Sequence, residues 1–476
     1  MAACQGGPLR GAGGKEKLCA GQTHCTTAHI SYPTDERLHS LVKTFGRDHA
    51  EAVWDACKSA ADHIRRTVCQ EEIDCELTHV PAYLYAASDA EKDEADSLRE
   101  DARLATETGF DARFIPQCPI TQQPAVHFSN LMKFHPTKYV RGLAQAAQKL
   151  GAQIHEDSEV WEFDAEKRTV RCGRHHISYQ QVFIATHVPL QGAASMLSST
   201  LLQTKLAGYT TYAVEAELAE EIVPEALWWD TADPYFYFRI DKVDGRARII
   251  AGGEDHKTGQ EEDTDGKYAA LEQRVQKLFP SARFLRRWSG QVIETVDGLP
   301  YIGEYAGQFV ATGFSGTGMT FGTLSGIMFA EHAQGIASPW KDLFRIERKE
   351  LSSTWSYLKE NKDYPYYLTK SLFMGNNRQP EELAPGEGAI LRLHGKKVAA
   401  SKDKDGKLTL LSAICPHMGC VVGWNHADQT WDCPCHGSTF TAQGKVVNGP
   451  AEAPLEPVDP NKQATEHVWP APALGM

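Results

Sequence analysis

The chain has 476 residues, a length that suits about three domain-sized units, and its 42% hydrophobic and 23% charged residues are ordinary for a globular protein. The formal net charge of −13 argues against nucleic acid or an anionic membrane as the main partner. No stretch approaches the roughly 20 apolar residues of a membrane span, and Met1 to Lys17 lacks the apolar core of a secretory leader.

Near the start, Gly11-Ala12-Gly13-Gly14-Lys15-Glu16 begins like a Gly-x-Gly-x-x-Gly turn. Glu16 stands at the last glycine and no apolar strand precedes it, so it reads as a decoy. Thr34-Asp35-Glu36 predicts a helix start with a cap and first-turn acids. Leu38, Leu41, Val42 and Phe45, then Val53, Trp54, Cys57 and Ile64, fall on one helical face. Thr137 is the expected cap of a later helix, with Tyr139, Val140, Leu143, Ala147 and Leu150 inward and Gly151 ending it. Ala152 to Phe163 reads as a strand and Gln181 to Thr186 as a short buried strand, which makes the front of the chain mixed α/β. Arg345 to Pro385 connects the halves, with a charged helix expected over Glu347 to Lys362 and an aromatic-rich run from Tyr364 to Phe373. Gly386 to Leu393, Lys397 to Ala400 and Leu408 to Ile414 are short apolar runs between Gly-Lys and Asp-Gly turns, the pattern of a small antiparallel β unit. The expected division is a domain over 1–345, a linker over 346–380 and an all-β domain over 381–476.

The most informative feature is Cys415-Pro416-His417-Met418-Gly419-Cys420 followed by Cys433-Pro434-Cys435-His436-Gly437-Ser438. Cys-x-His and Cys-x-x-His supply two thiolates and two imidazoles, the ligand set of a Rieske [2Fe–2S] centre, in which the thiolates hold one iron and the imidazoles the other. Neutral imidazoles remove negative charge from the cluster and raise its potential to about −150 to +300 mV. A zinc site is the rival, but zinc usually pairs Cys-x2–4-Cys with His-x3–5-His, whereas here each half supplies one of each. Both halves resemble the Rieske proteins of cytochrome bc complexes. That resemblance implies cluster ligands Cys415, His417, Cys433 and His436, a disulfide between the spare Cys420 and Cys435, a covering loop at Gly449-Pro450-Ala451, and a Ser438 hydroxyl donating to a bridging sulfide. Phe440 departs from the respiratory pattern, where a Tyr donates to a ligand sulfur, and its absence predicts a lower potential. The other eight cysteines (Cys4, Cys19, Cys25, Cys57, Cys69, Cys75, Cys118 and Cys172) are scattered, as expected of reduced thiols in a cytoplasmic protein.

In the front half several segments occur in the order found in flavin-dependent amine and amino-acid oxidases. They are Gly151-Ala152-Gln153-Ile154 through Val160, Val182-Phe183-Ile184-Ala185-Thr186, and Asp297-Gly298-Leu299-Pro300 before Val310-Ala311-Thr312-Gly313-Phe314-Ser315-Gly316-Thr317-Gly318-Met319-Thr320. They resemble the D-amino-acid oxidase superfamily, and the whole chain is similar to its glycine-oxidase-like or γ-glutamylputrescine-oxidoreductase-like members that carry a C-terminal Rieske domain. The resemblance implies FAD, with contacts from Thr26, Thr27, Val160, Ala185, Thr186, Gly313, Phe314, Gly316, Thr317, Gly318, Met319 and Thr320. Glycines there let the backbone approach the flat ring, and amides at a helix N-terminus stabilise charge on reduced flavin. Gly21-Gln22-Thr23-His24-Cys25-Thr26-Thr27-Ala28 matches the family's Thr-Gly-x-Thr-Thr-Ala, with His24 at its glycine. The family's opening Gly-x-Gly-x-x-Gly unit is not found before it. The expectation is thus an FAD-dependent oxidoreductase domain lacking its first βαβ unit, N-terminally truncated and weak in FAD affinity, because the missing loop carries the pyrophosphate. His256, in a turn over Gly252 to Lys257, is a candidate contact for substrate or flavin or else a solvated turn residue. Trp288 and Gln291 lie on a strand expected to face the flavin, with core packing the favoured role for Trp288. No acid or base is singled out, because hydride transfer to flavin needs orientation first.

These features imply an oxidoreductase that takes a hydride from a small amine or amino-acid-like substrate and passes electrons through the cluster to an external acceptor or donor. The alternative is a Rieske electron carrier whose front half is a non-flavin docking scaffold. A ring-hydroxylase component is disfavoured, because no 2-His-1-carboxylate pattern is seen and such Rieske domains usually lack the extra cysteine pair.

Overall fold

A computed structural model describes residues 11–88, 93–189, 202–219, 223–348, 366–370 and 374–459. Contacts divide the chain into two units: Met1–Lys257 with Asp265–Asn361, and Thr258–Thr264 with Lys362–Met476. The helix expected over Glu347 to Lys362 lies, from residue 349 on, outside the described residues.

The first unit opens with β1 (Gly11–Gly13) and β2 (His29–Ile30), then α1 (Leu38–Phe45), α2 (Arg47–Gln70) and β3 (Thr78–Tyr85). The helix does not start at Thr34. Thr34 Oγ1 donates to the Glu36 carbonyl, and Arg37 is the N-cap. The helix-start donor His39 N is met from afar by Asp101 Oδ1 at 2.9 Å. Asp35 and Glu36 therefore stand in a loop before the helix. Gly46, at φ +87, ends α1 and re-aims the chain into α2, whose Val53, Trp54, Cys57 and Ile64 are buried as the spacing predicts.

The chain continues through α3 (Glu94–Glu107), β4 (Ala112–Ile115), β5 (Ala125–Lys133) and α4 (Pro136–Lys149). The cap of α4 is His135 with Pro136 in the first turn, so Thr137 is already inside the helix. Tyr139 and Ala147 are buried, but Leu150, expected inward, is 45% exposed past the helix end. The single strand expected over Ala152 to Phe163 is two: β6 (Gln153–His155) and β7 (Val160–Asp164), in different sheets. The second forms a meander with β8 (Thr169–Cys172) and β9 (His175–Ser178). The next strand, β10, is only Phe183–Ile184.

Four strands follow: β11 (Leu206–Leu218), β12 (Leu227–Asp230), β13 (Tyr237–Val243) and β14 (Arg246–Lys257). The expected turn over Gly252 to Lys257 is the end of β14. After α5 (Thr264–Leu278) come β15 (Arg283–Thr295), β16 (Tyr301–Tyr305), β17 (Gln308–Thr312), α6 (Gly318–Ala333) and α7 (Lys341–Phe344).

The large sheet runs β15-β11-β14-β13-β12-β3-β5-β2, with β4 paired to β5. Its core centres on Trp228, which is fully buried between the rings of Tyr83 at 5.8 Å and Phe238 at 4.7 Å. Within the large sheet β12 and β3 are parallel, and two smaller groups hold further parallel pairs: β1 beside β6, and β10-β17-β16, in which β10 and β17 are parallel. The decoy Gly11–Gly13 thus becomes a short strand rather than a glycine turn leading into a helix.

The second unit holds β18 (Gly388–Leu393), β19 (Lys396–Lys402) and β20 (Leu408–Ser412) as one antiparallel sheet. A second antiparallel sheet runs β21 (Gly423–Asn425), β22 (Thr430–Asp432), β23 (Thr439–Thr441) and β24 (Val446–Asn448). This is the small all-β unit the short apolar runs imply. No helix among the described residues is long and apolar enough to cross a membrane.

One buried ion pair ties the end of the first unit to its glycine-turn region. Arg348 donates to both oxygens of Asp297 at 2.6 and 2.7 Å and to the carbonyls of Pro300 and Leu299, with only 6% and 2% of the two side chains exposed. Removing one partner leaves a buried charge with no counter-ion. Asp297→Ala is expected to cost about 3–5 kcal/mol in urea denaturation. An unchanged midpoint would mean that the pair relaxes toward water.

Candidate functional site

The cluster-motif residues come together in the second unit at the ends of two hairpin-like loops. The Cys415 amide donates to the Cys420 carbonyl at 2.8 Å and Gly419 N to Cys415 O at 3.0 Å. The second loop repeats the pattern: Cys433 N donates to Ser438 O at 2.8 Å and Gly437 N to Cys433 O at 3.0 Å. A disulfide joins the loops through Cys420 and Cys435. The thiols of Cys415 and Cys433 are side by side and buried, and the rings of His417 and His436 meet at right angles, 4.8 Å apart. The four side chains pair by type, thiol with thiol and imidazole with imidazole.

This arrangement suits two irons better than one zinc. Among the described residues no three His, Cys, Asp or Glu side chains converge on a single metal-sized point. A mononuclear Cys2His2 site would need all four to do so, whereas a binuclear cluster asks two ligands of each iron. Burial pushes both imidazoles down to about 4, so each presents a neutral nitrogen. The Cys433 thiol, together with the Ser438 hydroxyl, holds Cys415 below the usual thiol range. Its neighbour Cys415, with burial, pushes Cys433 up. Two adjacent buried thiols cannot both ionise without a cation between them.

Ser438 is fully buried and its oxygen accepts from Ala451 N at 2.9 Å, so the Gly449-Pro450-Ala451 segment is fastened onto this loop. Phe440 is fully buried in the apolar cluster that contains Cys415, Cys420 and Cys433. Two further residues escaped the sequence reading. Gly259, at φ +78, lies so close to the Cys433–Pro434 backbone that a Cβ would approach it to 2.8 Å, and Gln260 Nε2 donates to Pro434 O at 2.9 Å. Nothing in Thr258-Gly259-Gln260 distinguishes it from an ordinary loop.

In the first unit, β17 ends in a left-handed turn at Gly313 and Gly316, φ +73 and +53, before Thr317 caps α6. The turn brings Gly318, Met319 and Thr320 into the first turn of the helix, where unpaired amides favour negative charge. Thr320 is fully buried and donates to Ser31 O at 3.1 Å. Phe314 packs against the main core cluster. Thr27 Oγ1 is 3.1 Å from His29 Nδ1, and its carbonyl accepts from Arg239 Nη1 at 2.6 Å. Thr26 Oγ1 accepts from Ala28 N at 3.1 Å. Ala185 and Thr186 are exposed just past β10, with Thr186 Oγ1 bonded to Val188 O at 2.9 Å, and Val160 opens β7.

His256 stacks on Tyr212 at 5.7 Å rather than sitting in a turn. Trp288 Nε1 donates to Cys25 O at 2.9 Å, a packing role, while Gln291 is buried with its backbone N–H donating to Gln22 Oε1 at 2.8 Å. The ring side of FAD is thus matched by a glycine turn, a helix N-terminus and a Ser315 hydroxyl that is buried without a partner. Among the described residues, the pyrophosphate side has no strand–glycine turn–helix unit.

Asp35, Tyr235, Tyr237 and Asp255 also gather beside this turn. Tyr235 Oη donates to Asp35 Oδ1 at 3.1 Å. Asp35 has accessible surface, yet desolvation pushes its carboxyl up to about 7, with Asp255 and Glu36 adding to the rise. The residue is exposed as a whole, but its carboxylate is packed against Gly316 and beside the Tyr235 hydroxyl. Burial likewise raises Asp255 to about 6 and lowers His29 to about 3 and His187 to about 4.

Two outcomes follow. Phe440→Tyr is expected to raise the cluster potential, because a donated hydrogen bond favours the more negative, reduced state. A bond of about 1.5–3 kcal/mol to a charged group, at 59 mV per roughly 1.4 kcal/mol, predicts a rise of several tens of millivolts or more in film voltammetry. Ser438→Ala should move it down. Asp35→Asn is expected to raise the melting temperature at pH 8, with the gain shrinking toward pH 4. The folded carboxyl titrates near 7 and the unfolded one near 3.8, so the folded state carries an ionisation penalty above pH 7 that protonation removes below it. A gain that is the same at both pH values would refute the desolvated-wall assignment.

Residues 14–332 match the model of the FAD dependent oxidoreductase family, and residues 377–459 match the Rieske [2Fe-2S] domain. Over 448 residues the chain is 28% identical to YhfW of Bacillus subtilis (strain 168), named as a Rieske 2Fe-2S iron-sulfur protein, covering 92% of this chain and 86% of that one. Over 75 residues it is 39% identical to the cytochrome b6-f complex iron-sulfur subunit of Chlorobaculum thiosulfatiphilum, covering 16% of this chain and 41% of that one. In fold it is similar to glycine oxidase from Geobacillus kaustophilus, with TM-score 0.56 and 18% identity over 71% of this chain and 92% of that one. The chain belongs to the FAD dependent oxidoreductase family, with FAD as its cofactor, and carries a C-terminal Rieske domain for a [2Fe–2S] cluster.

Proposed function

We propose that the chain oxidises a small amine or amino-acid-like substrate in its first unit and passes the electrons through its cluster to an external acceptor. The observation that carries this reading is the union, in one chain, of a flavin-type glycine turn with paired buried thiols and imidazoles. Bound FAD would supply hydride acceptance, and the cluster one-electron transfer. The residues of the chain position and insulate. Gly313 and Gly316 shape the turn into α6, the first turn of that helix favours negative charge, and the Asp35–Tyr235 wall packs against the same turn. Cys415, His417, Cys433 and His436 are the proposed cluster ligands, with Ser438 and Gln260 holding their loops. The described cysteines outside the motif, Cys19, Cys25, Cys57, Cys69, Cys75, Cys118 and Cys172, are unbridged, which supports a reducing, cytoplasmic setting.

One observation favours the carrier reading. Outside the large sheet, the parallel pairs β1-β6 and β10-β17 stand in separate sheets rather than in one continuous sheet. The anaerobic spectrum of the purified protein distinguishes the two. The oxidase is expected to show flavin bands with two irons and two acid-labile sulfides per chain, and an added amine should bleach the flavin before the reduced cluster signal appears. Cluster bands with no flavin would establish the carrier; stoichiometric zinc without iron would overturn both.

A further inference from the structure

The wall beside the glycine turn is unusual in charge. A Cβ on Gly316 would lie 2.7 Å from Asp35 Oδ2 and 2.8 Å from Tyr235 Oη, so the turn, the carboxylate and the phenol are in mutual contact. The rings of Tyr235 and Tyr237 are 5.6 Å apart at 47°, and His29 meets Tyr237 edge-on at 5.7 Å. Asp255 projects from β14, the strand whose Gly252 lies against the Tyr237 ring. Thr211 bonds to its carboxyl, while its Oδ1 is buried with no partner.

The acids outnumber the cations near them, and Lys267, whose charge also reaches Asp255, is paired to Glu254. Among the described residues, Asp35, Glu36, Asp233 and Asp255 make no ion pair. The nearby cations are engaged elsewhere: Lys267 with Glu254 at 3.9 Å, and Arg274 with Asp230 at 3.0 Å and Glu254 at 3.7 Å. Arg239 spends its Nη1 on the Thr27 and Phe134 carbonyls. One polar atom independent of the carboxylates also lacks a partner: the hydroxyl of Ser315, a residue only 4% exposed and adjacent to Gly316. Buried polar atoms without protein partners mark a place where a ligand supplies them.

We propose that Asp35 and Asp255, with the rings of Tyr235 and Tyr237, form a subsite for the ammonium group of a cationic amine that carries no carboxylate beside its nitrogen. The inference rests on the amine-oxidation reading and narrows it. Carboxylates and aromatic faces together attract an alkylammonium by charge and by cation–π contact. An α-amino acid would bring a carboxylate against two acids, while the neighbouring cations Lys267 and Arg274 are already paired to Glu254 and Asp230. Asp35 and Tyr235 are then specificity-determining groups, and Asp255 fixes the far side of the cage.

The test uses the full-length holoprotein under anaerobic conditions, with n-butylamine, norvaline and pentanoate as probes. Binding is read by calorimetry and by perturbation of the flavin bands, separately from turnover. The expected result is that n-butylamine binds and the two carboxylates do not. Asp35→Asn and Asp255→Asn should each weaken amine binding about ten- to hundredfold. Tyr235→Phe, which keeps the ring, should have a smaller effect. Flavin content and circular dichroism verify that the variants fold, and two separate acids keep the test open if one variant does not. Norvaline binding as well as or better than n-butylamine, or asparagine variants with unchanged amine affinity, would overturn the cage while leaving amino-acid oxidation intact. If none of these probes binds and no amine or amino acid reduces the flavin, the amine-oxidation reading fails, and the cage with it.

Discussion

The first unit depends on one backbone constraint. Between β17 and α6 the chain must reverse within a few residues, and it does so through left-handed Gly313 and Gly316. A side chain at Gly313 would meet Thr295 at 2.3 Å, and one at Gly316 would displace the Asp35 carboxylate. Only glycine permits both the dihedrals and the contact. That turn sets where α6 begins, which amides point out of its N-terminus, and which side chains face them. The carboxylate wall and the helix amides are therefore consequences of one turn.

The second unit solves a different problem. The side chains proposed as cluster ligands are held by two loops too short to have a core of their own. Their amides close onto their own carbonyls, a disulfide joins them, and Ser438, Ala451, Gln260 and Phe440 pack around them. Burial keeps the imidazoles neutral and puts the two thiols in conflict. A cation relieves that conflict, so the loops are shaped for a cluster by electrostatics as well as by distance.

Much of this was legible in the residues. Cys-x-His and Cys-x-x-His are local patterns whose chemistry needs no tertiary information, and the short apolar runs of the second unit became the strands they implied. The glycine turn was legible for the same reason. Helix starts were not. Thr34-Asp35-Glu36 has every local mark of a cap, but Asp101, distant in sequence, bonds to the helix-start amide at His39 and leaves the two acids in a loop. Asp35 was hidden because a first-turn acid and an acid packed against another element look alike until that partner is known. Gly252 to Lys257 likewise resembles a turn, although its glycines serve to let the Tyr235 and Tyr237 segment lie flat against β14. Long-range pairing overrode local preference in each case.

The first unit treats charge in two opposite ways. Where charge is structural it is paired and dry, as in Arg348 with Asp297 or in Lys133 with Asp241 at 2.5 Å. Where it is left unpaired, as at Asp35 and Asp255, loss of hydration pushes the carboxyls up, to about 7 and about 6, so that ionising them carries a cost. Such a cost persists where a ligand offsets it, because a group destabilised in the free protein is one that binding can relieve. A cation binding beside them would restore both carboxylates to their ionised state. The strain that Asp35 imposes on the fold and the attraction it exerts on an amine are then two measures of the same missing positive charge.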